Sequence, residues 1–116
     1  MALMKNRLGC REWIDRAPAV HLLRVLICLR LLMRDPFYQG VLHQINGINI
    51  LTQYMQTTCN TYLSSGEDEF NIDKLVNMTY IFQKIAAAKE QREWVIQSGA
   101  HKVRNQLVCV HFHTTA

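Results

Sequence analysis

The segment from Ala19 to Met33 constrains this sequence more than any other, because apolar side chains occupy almost every side of the helix it would form. Its main polar interruptions are His21, Arg24 and Arg30. A helix that is apolar all round is expected to lie buried between neighbouring elements. With only 15 residues and several charges, it is too short and too polar to span a membrane. The segment therefore predicts a fold of packed helices.

The composition agrees with a single helical domain. The chain has 116 residues, which is room for one domain of roughly 100–150 residues. Hydrophobic residues make up 49% of it and charged residues 19%, with five glycines and two prolines. Such a chain is too apolar and too poor in helix breakers to be disordered or fibrous.

Helix-breaking residues divide the first half of the chain into three predicted helices. The pair Asp35 and Pro36 ends the first helix, because the residue before a proline is pushed away from helical dihedral angles. Pro36 then opens a short helix that ends near Asn46 and Gly47, a pair that supplies a left-handed C-cap. A third helix is predicted from residue 48 to about residue 63.

The second half begins after a polar run. Residues 64–69 form an acidic stretch that contains a glycine, and they predict a surface loop. Asn71 is the predicted N-cap of a fourth helix. A fifth helix, at about residues 89–98, ends at Gly99, and a last segment begins at Ala100.

The two halves resemble each other when one is shifted by 52 residues. The matching pairs are Leu23 with Leu75, Leu26 with Met78, Leu29 with Ile81, Met33 with Ile85, Leu42 with Trp94, Gly47 with Gly99, and Leu51 with Val103. A long helix, a short helix ending at glycine and another apolar helix are typical of an armadillo or HEAT unit of about 40–47 residues.

We therefore predict an all-α, armadillo/HEAT-like fold of about two repeats with antiparallel helix stacking. The predicted boundaries are repeats over 1–102, with repeat-like units at about 18–63 and 71–102, an acidic loop at 64–70 and a divergent C-terminal tail at 103–116. Each unit buries its apolar face against the next one, and about three units are normally needed for stability. The pattern thus predicts an uncovered end through which the chain could self-associate.

No catalytic, cofactor-binding or metal-binding residue is predicted. The five glycines stand alone, whereas nucleotide binding needs clustered glycines beside the phosphates. No local sequence marks a nucleophilic Cys or Ser. The carboxylates of residues 67–69 lie in the predicted surface loop, where we expect them to be solvated rather than tuned for acid–base work.

Cys109, His111 and His113 form the sharpest local constellation. In a strand these alternate residues would share one face as potential ligands of a soft metal. Zinc sites usually need four ligands in paired spacings, so we interpret the residues as part of a tail and predict no metal site. The four cysteines of the chain are far apart, which argues against a disulfide framework and indicates a reducing intracellular compartment.

The first part of the chain is basic. Residues 1–34 contain seven of the 13 Lys and Arg residues but two of the nine acids, and the net charge is +4. Arg24, Arg30 and Arg34 could bind an acidic partner or nucleic acid. Arginines of a buried helix commonly extend to solvent, and no base-reading helix accompanies them, which argues against nucleic acid. The aromatic residues interpreted as core packing are Trp13, Tyr38, Tyr54, Tyr80, Phe82 and Trp94.

Several long residue runs carry a resemblance to a known family. The runs are 5–8, 11–13, 16–18, 23–36, 73–84, 91–95 and 98–102. They resemble the armadillo-type region that precedes the kinase domain in the NIMA-related serine/threonine kinase family. The resemblance covers about residues 4–102, weakens between Gly40 and Asn71, and is lost from Val103 onward.

The resemblance implies a fragment without enzyme activity. The chain has no Gly-rich loop, His-Arg-Asp motif or Asp-Phe-Gly motif, so ATP and magnesium would belong only to the full-length kinase, which would phosphorylate protein Ser or Thr. The implied role is regulation or scaffolding through protein partners, in cell-cycle settings. The implied location is intracellular: cytoplasmic, centrosomal, ciliary or nuclear, without a membrane partner.

Two alternatives remain open at this point. One is a truncated product. A dominant-negative product would be folded and soluble, whereas a non-functional one would have an uncovered apolar face that invites aggregation. The other is a small basic nucleic-acid-binding helical domain, whose affinity would fall steeply with salt.

Overall fold

The computed structural model describes residues 18–65 and 69–105, and these ranges contain helices and turns but no strand. In chain order the helices are α1 (Ala19–Leu32), α2 (Pro36–Gln44), α3 (Gly47–Ser65), α4 (Glu69–Ala87), α5 (Lys89–Ser98) and α6, which covers residues 100–105. The predicted all-α fold is confirmed.

Capping residues set the ends of the short helices as predicted. Asp35 is the N-cap of α2, and its carboxylate accepts a hydrogen bond of 3.0 Å from the backbone N–H of Phe37. Gly99 ends α5 in the left-handed conformation, with φ of 83°. In the turn after α2, however, Asn46 is left-handed, with φ of 62°, and Gly47 is already the first residue of α3.

The helices around the acidic run extend further than the sequence predicted. Helix α3 continues through Ser65, and the hydroxyl of Ser64 donates a hydrogen bond to the carbonyl of Thr61 within it. Helix α4 begins at Glu69, so the prediction of Asn71 as its N-cap is wrong. Asn71 lies in the first turn of α4 and is buried.

Helix α4 is the central element, because it packs against α1, α3 and α5. Helices α3 and α4 form an antiparallel hairpin, in which the Lys74 ammonium donates a hydrogen bond of 3.0 Å to the hydroxyl of Tyr54. Helices α1 and α4 lie side by side and run parallel. Their C-terminal ends meet at the buried Gln39, whose side-chain amide donates to the carbonyl of Met33 at 2.6 Å and to that of Lys84 at 3.5 Å.

The core follows the 52-residue repeat. Equivalent positions of α1 and α4 are buried in both halves: Leu26 with Met78, Leu29 with Ile81, and Met33 with Ile85. Val103, where the sequence placed the start of the tail, is buried in the same core within α6. The packed structure therefore includes part of the segment predicted as tail.

Within the ranges that the structure describes, no helix is both long enough and apolar enough to cross a membrane.

Candidate functional site

The sequence predicted that helix α1 lies buried between neighbours, whereas the described elements bury it on one face only. Leu26 and Leu29 are fully buried against the rest of the core. On the opposite face Val20, Ile27 and Leu31 keep 40%, 45% and 56% of their surface exposed. Helix α4 covers one side of α1, and no other described element covers the far side. The described elements therefore leave an apolar face of α1 uncovered.

A groove of about 490 Å³ lies between α1 and α4. From α1 it is lined by an apolar row, Leu23, Ile27 and Leu31, and by Arg30, while Arg34 lines it from the turn after α1. From α4 it is lined by Asp73 and Asn77. We call it the α1–α4 groove.

The groove has two electrostatically different ends. Because α1 and α4 run parallel, Asp73 lies toward the end that holds Leu23, and Arg34 lies at the other end. Asp73 is the single acidic residue among the lining residues. The end near Arg34 is therefore basic.

A cluster of cations surrounds Tyr80 at the basic end. The Arg30 guanidinium carbon lies 4.0 Å from the centroid of the Tyr80 ring. The Lys84 ammonium nitrogen lies 5.4 Å from the same centroid. Arg34 lies close enough to the Tyr80 hydroxyl to help lower its pKa. We call Arg30, Arg34 and Lys84 the cation cluster.

The pKa of Tyr80 reports the positive potential of this cluster. Desolvation of the hydroxyl raises its pKa, but the polar and charge interactions of the neighbouring Arg34, Lys84 and Arg30 together outweigh it. The net effect lowers the pKa of Tyr80 below its usual value, because nearby cations stabilise the phenolate. An anion brought to this place would be stabilised for the same reason.

A second, smaller groove lies among the helices that follow α2. It has a volume of about 280 Å³ and is lined by side chains of α3 to α6, among them Met55, Phe82 and Arg104. It also contains His101, whose Nδ1 atom is buried without a hydrogen-bond partner among the described residues.

Most aromatic residues pack as predicted. Phe82 is buried, while Tyr38, Tyr54 and Trp94 pack against the core. The Trp94 ring also stacks on His43, with centroids 4.1 Å apart and planes 2° from parallel. Tyr80 differs, because its ring is held by cations rather than by core side chains. Trp13 lies outside the described residues.

Several residues singled out from the sequence lie outside the ranges that the structure describes. They are Cys109, His111 and His113, together with Glu67 and Asp68 of the acidic run. Among residues 18–65 and 69–105, no group of three or more His, Cys, Asp or Glu side chains could hold a metal ion.

The sequence singled out Arg24, Arg30 and Arg34 but not their different surroundings. Arg24 is exposed and does not line the groove, whereas Arg30 and Arg34 meet Tyr80. Sequence reasoning missed Tyr80 as a site residue. The spacing of four between Tyr80 and Lys84 places this pair on one face of α4 and could have indicated it.

In its fold, the chain is an all-α helical-repeat segment. It is similar to a part of the human protein named Serine/threonine-protein kinase Nek10, with 66% identity over 101 residues. It is 65% identical, also over 101 residues, to the mouse protein of the same name. No family model and no solved structure matches the chain.

These matches confirm the resemblance to the NIMA-related serine/threonine kinase family, and specifically to its tenth member. Each match covers 87% of this chain but 9% of the relative's length, so the chain spans about a tenth of the curated relatives. The matched portion is not a kinase domain.

Proposed function

We propose that the chain is a non-catalytic, armadillo-type interaction and regulatory region of a NIMA-related serine/threonine-protein kinase. It binds an acidic, amphipathic helix of a partner protein in the α1–α4 groove. The observation that carries this proposal is the exposed apolar row of α1 beside arginines that form no ion pair with an acidic residue of the described ranges.

The helix order supports the armadillo-type assignment. Helices α1, α2 and α3 are followed by α4, α5 and α6 with the same offset of 52 residues in the core. Equivalent helices of successive repeats stack in parallel, as α1 and α4 do here. Such stacks recognise partners along exposed helical surfaces.

The groove determines the chemistry of the partner. Leu23, Ile27 and Leu31 are spaced by four residues, which suits an apolar helix face laid along the groove. Arg34 would form charge-assisted hydrogen bonds with carboxylates of that helix. Asp73 would repel carboxylates at the other end, so the acidic residues of the partner lie toward Arg34.

A designed peptide tests the proposal on the 116-residue chain. The probe is a fluorescein-labelled helix with leucines at helical spacing and glutamates on both flanks, followed by fluorescence anisotropy. We expect Leu31→Ser to weaken binding by about tenfold, because it removes an apolar contact of about 1.4 kcal/mol. The matched control is Ile96→Ser, because Ile96 is similarly exposed at 46% but lies on α5 outside the groove.

Three outcomes contradict the proposal. Equal losses of peptide affinity in Leu31→Ser and Ile96→Ser would show that the groove is not the binding site. If a peptide with lysines in place of glutamates bound as tightly as the glutamate peptide, the proposed charge complementarity would be refuted. Stronger binding of duplex DNA, with an affinity that falls steeply with salt, would support the nucleic-acid alternative instead.

Folding of the isolated chain distinguishes this proposal from a non-functional truncated product. We expect a cooperative thermal melt by circular dichroism and a defined monomer or dimer by size-exclusion chromatography with light scattering. A molten or aggregated helical species would favour the truncated product, because an uncovered apolar face promotes aggregation.

A further inference from the structure

The cation cluster has more positive charge than its described surroundings balance. Arg30, Arg34 and Lys84 converge on one tyrosine, although like charges repel each other. None of the three forms an ion pair with an acidic residue of ranges 18–65 and 69–105. Asp35 follows Arg34 directly, but its carboxylate caps α2 by accepting a hydrogen bond from the backbone N–H of Phe37. Asp73 precedes Tyr80 by seven residues and lies about 10 Å away along α4. The cluster is therefore ready to accept an anion.

We propose that the cation cluster binds a phosphomonoester, carried by a phosphorylated Ser or Thr of the partner segment that occupies the α1–α4 groove. This inference rests on the proposed function, because the phosphorylated residue belongs to the same partner segment that would bind in the groove. It assigns Arg30, Arg34, Lys84 and the hydroxyl of Tyr80 as a phosphate site.

The number and type of donors favour phosphate over a carboxylate. A phosphomonoester carries about −1.5 to −2 charges at neutral pH and three acceptor oxygens, so it can satisfy several cations at once. The planar guanidinium groups of Arg30 and Arg34 can each bind two of its oxygens. A single carboxylate has two oxygens and one charge, and it would leave most of the cluster unbalanced.

The side chains of the cation cluster and Tyr80 would contribute to phosphate binding in different ways. The Arg30 guanidinium carbon lies over the Tyr80 ring, 4.0 Å from its centroid, so a cation–π interaction holds this cation at the site. Arg34 and Lys84 are exposed, so they can turn toward a bound phosphate without disturbing the core. The lowered pKa of Tyr80 shows that the hydroxyl already lies in a positive potential.

The test uses the glutamate-flanked peptide with one residue near the basic end as serine, phosphoserine or glutamate. We expect the phosphoserine peptide to bind the full chain about tenfold more tightly than the serine peptide, with the glutamate peptide between them. NMR signals of the arginine Nε–H groups report which guanidiniums shift on titration. We expect those of Arg30 and Arg34 to move, and that of Arg24 to stay.

Charge-matched variants show whether the cation cluster or the overall charge of the chain causes the preference for the phosphoserine peptide. Arg34→Gln and Lys84→Gln should each lower the preference for phosphoserine to about two- or threefold. Arg24→Gln removes the same charge from an exposed position outside the groove and should leave the preference unchanged. Tyr80→Phe keeps the ring and should reduce the preference only partly. Circular dichroism checks that every variant is folded.

The outcomes separate this inference from the proposed function. If the serine peptide binds in a Leu31-dependent way but phosphorylation adds nothing, the phosphate site is refuted and the groove proposal stands. If the serine peptide does not bind, yet phenyl phosphate shifts the Arg34 signal, the groove proposal fails and the anion site is supported. Equal effects of Arg24→Gln and Arg34→Gln would refute the phosphate site as a localised feature.

Discussion

Leu29→Ala and Leu31→Ala form a matched pair that measures which face of α1 is buried. Leu29 keeps 1% of its surface exposed and Leu31 keeps 56%, although the two residues are two positions apart in one helix. Burying a leucine fully contributes about 1.5–3 kcal/mol, and the cavity left by alanine raises the total cost to about 2–5 kcal/mol. We expect that cost for Leu29→Ala.

Leu31→Ala should cost about 1 kcal/mol or less, because less than half of the side chain is buried and its removal leaves no enclosed cavity. The two variants should therefore differ by at least about 1 kcal/mol, or about 4–8 °C in Tm for a small domain. Urea titration followed by circular dichroism at 222 nm gives both free energies of unfolding. Equal costs would refute the one-sided burial of α1 and, with it, the open groove.

Other variants test the local structure around the groove. Gly40→Ala should stabilise the chain by about 0.5–1 kcal/mol in a urea titration, because Gly40 lies inside α2 and an added Cβ meets no atom within 4 Å. Gly99→Ala should instead destabilise it by about 1 kcal/mol, because φ is 83° there; a stabilising effect would contradict the left-handed C-cap. Asp35→Ala should cost about 1 kcal/mol by thermal melting, whereas Asp35→Asn should retain most of the N-cap. In a chain with its other two cysteines changed to serine, Cys59 should react with iodoacetamide at pH 7 far more slowly than the exposed Cys28, because burial raises the pKa of the Cys59 thiol; similar rates would contradict the buried position.

Helix boundaries were predictable where local chemistry sets them. The Asp35–Pro36 pair and Gly99 act through their own dihedral angles and hydrogen bonds, so the sequence located them. Helices α3 and α4 both extend further toward the acidic run than the sequence predicted. Polar composition suggested a loop there, but the hydroxyl of Ser64 bonds back to the helix and Glu69 starts the next one.

The candidate site was predictable only in part. Arg30 and Arg34 were recognised as cations, and the 52-residue repeat indicated that α1 and α4 are equivalent. The contact of these arginines with Tyr80 and Lys84 depends on how α1 and α4 pack against each other. The contacting residues are about 50 positions apart in sequence. Periodicity along one helix carries no information about that contact.

The sequence by itself determined the all-α class, the order of the helices and most of the buried positions, because helical propensity, breakers and apolar spacing act over a few residues. Only the tertiary structure decided which side of α1 stays open. Its apolar side chains surround the helix, so the pattern alone could not choose a face. Parallel packing on α4 buries Leu29, exposes Leu31 and brings Arg30 to Tyr80, because each helix can bury only the face that its neighbours cover.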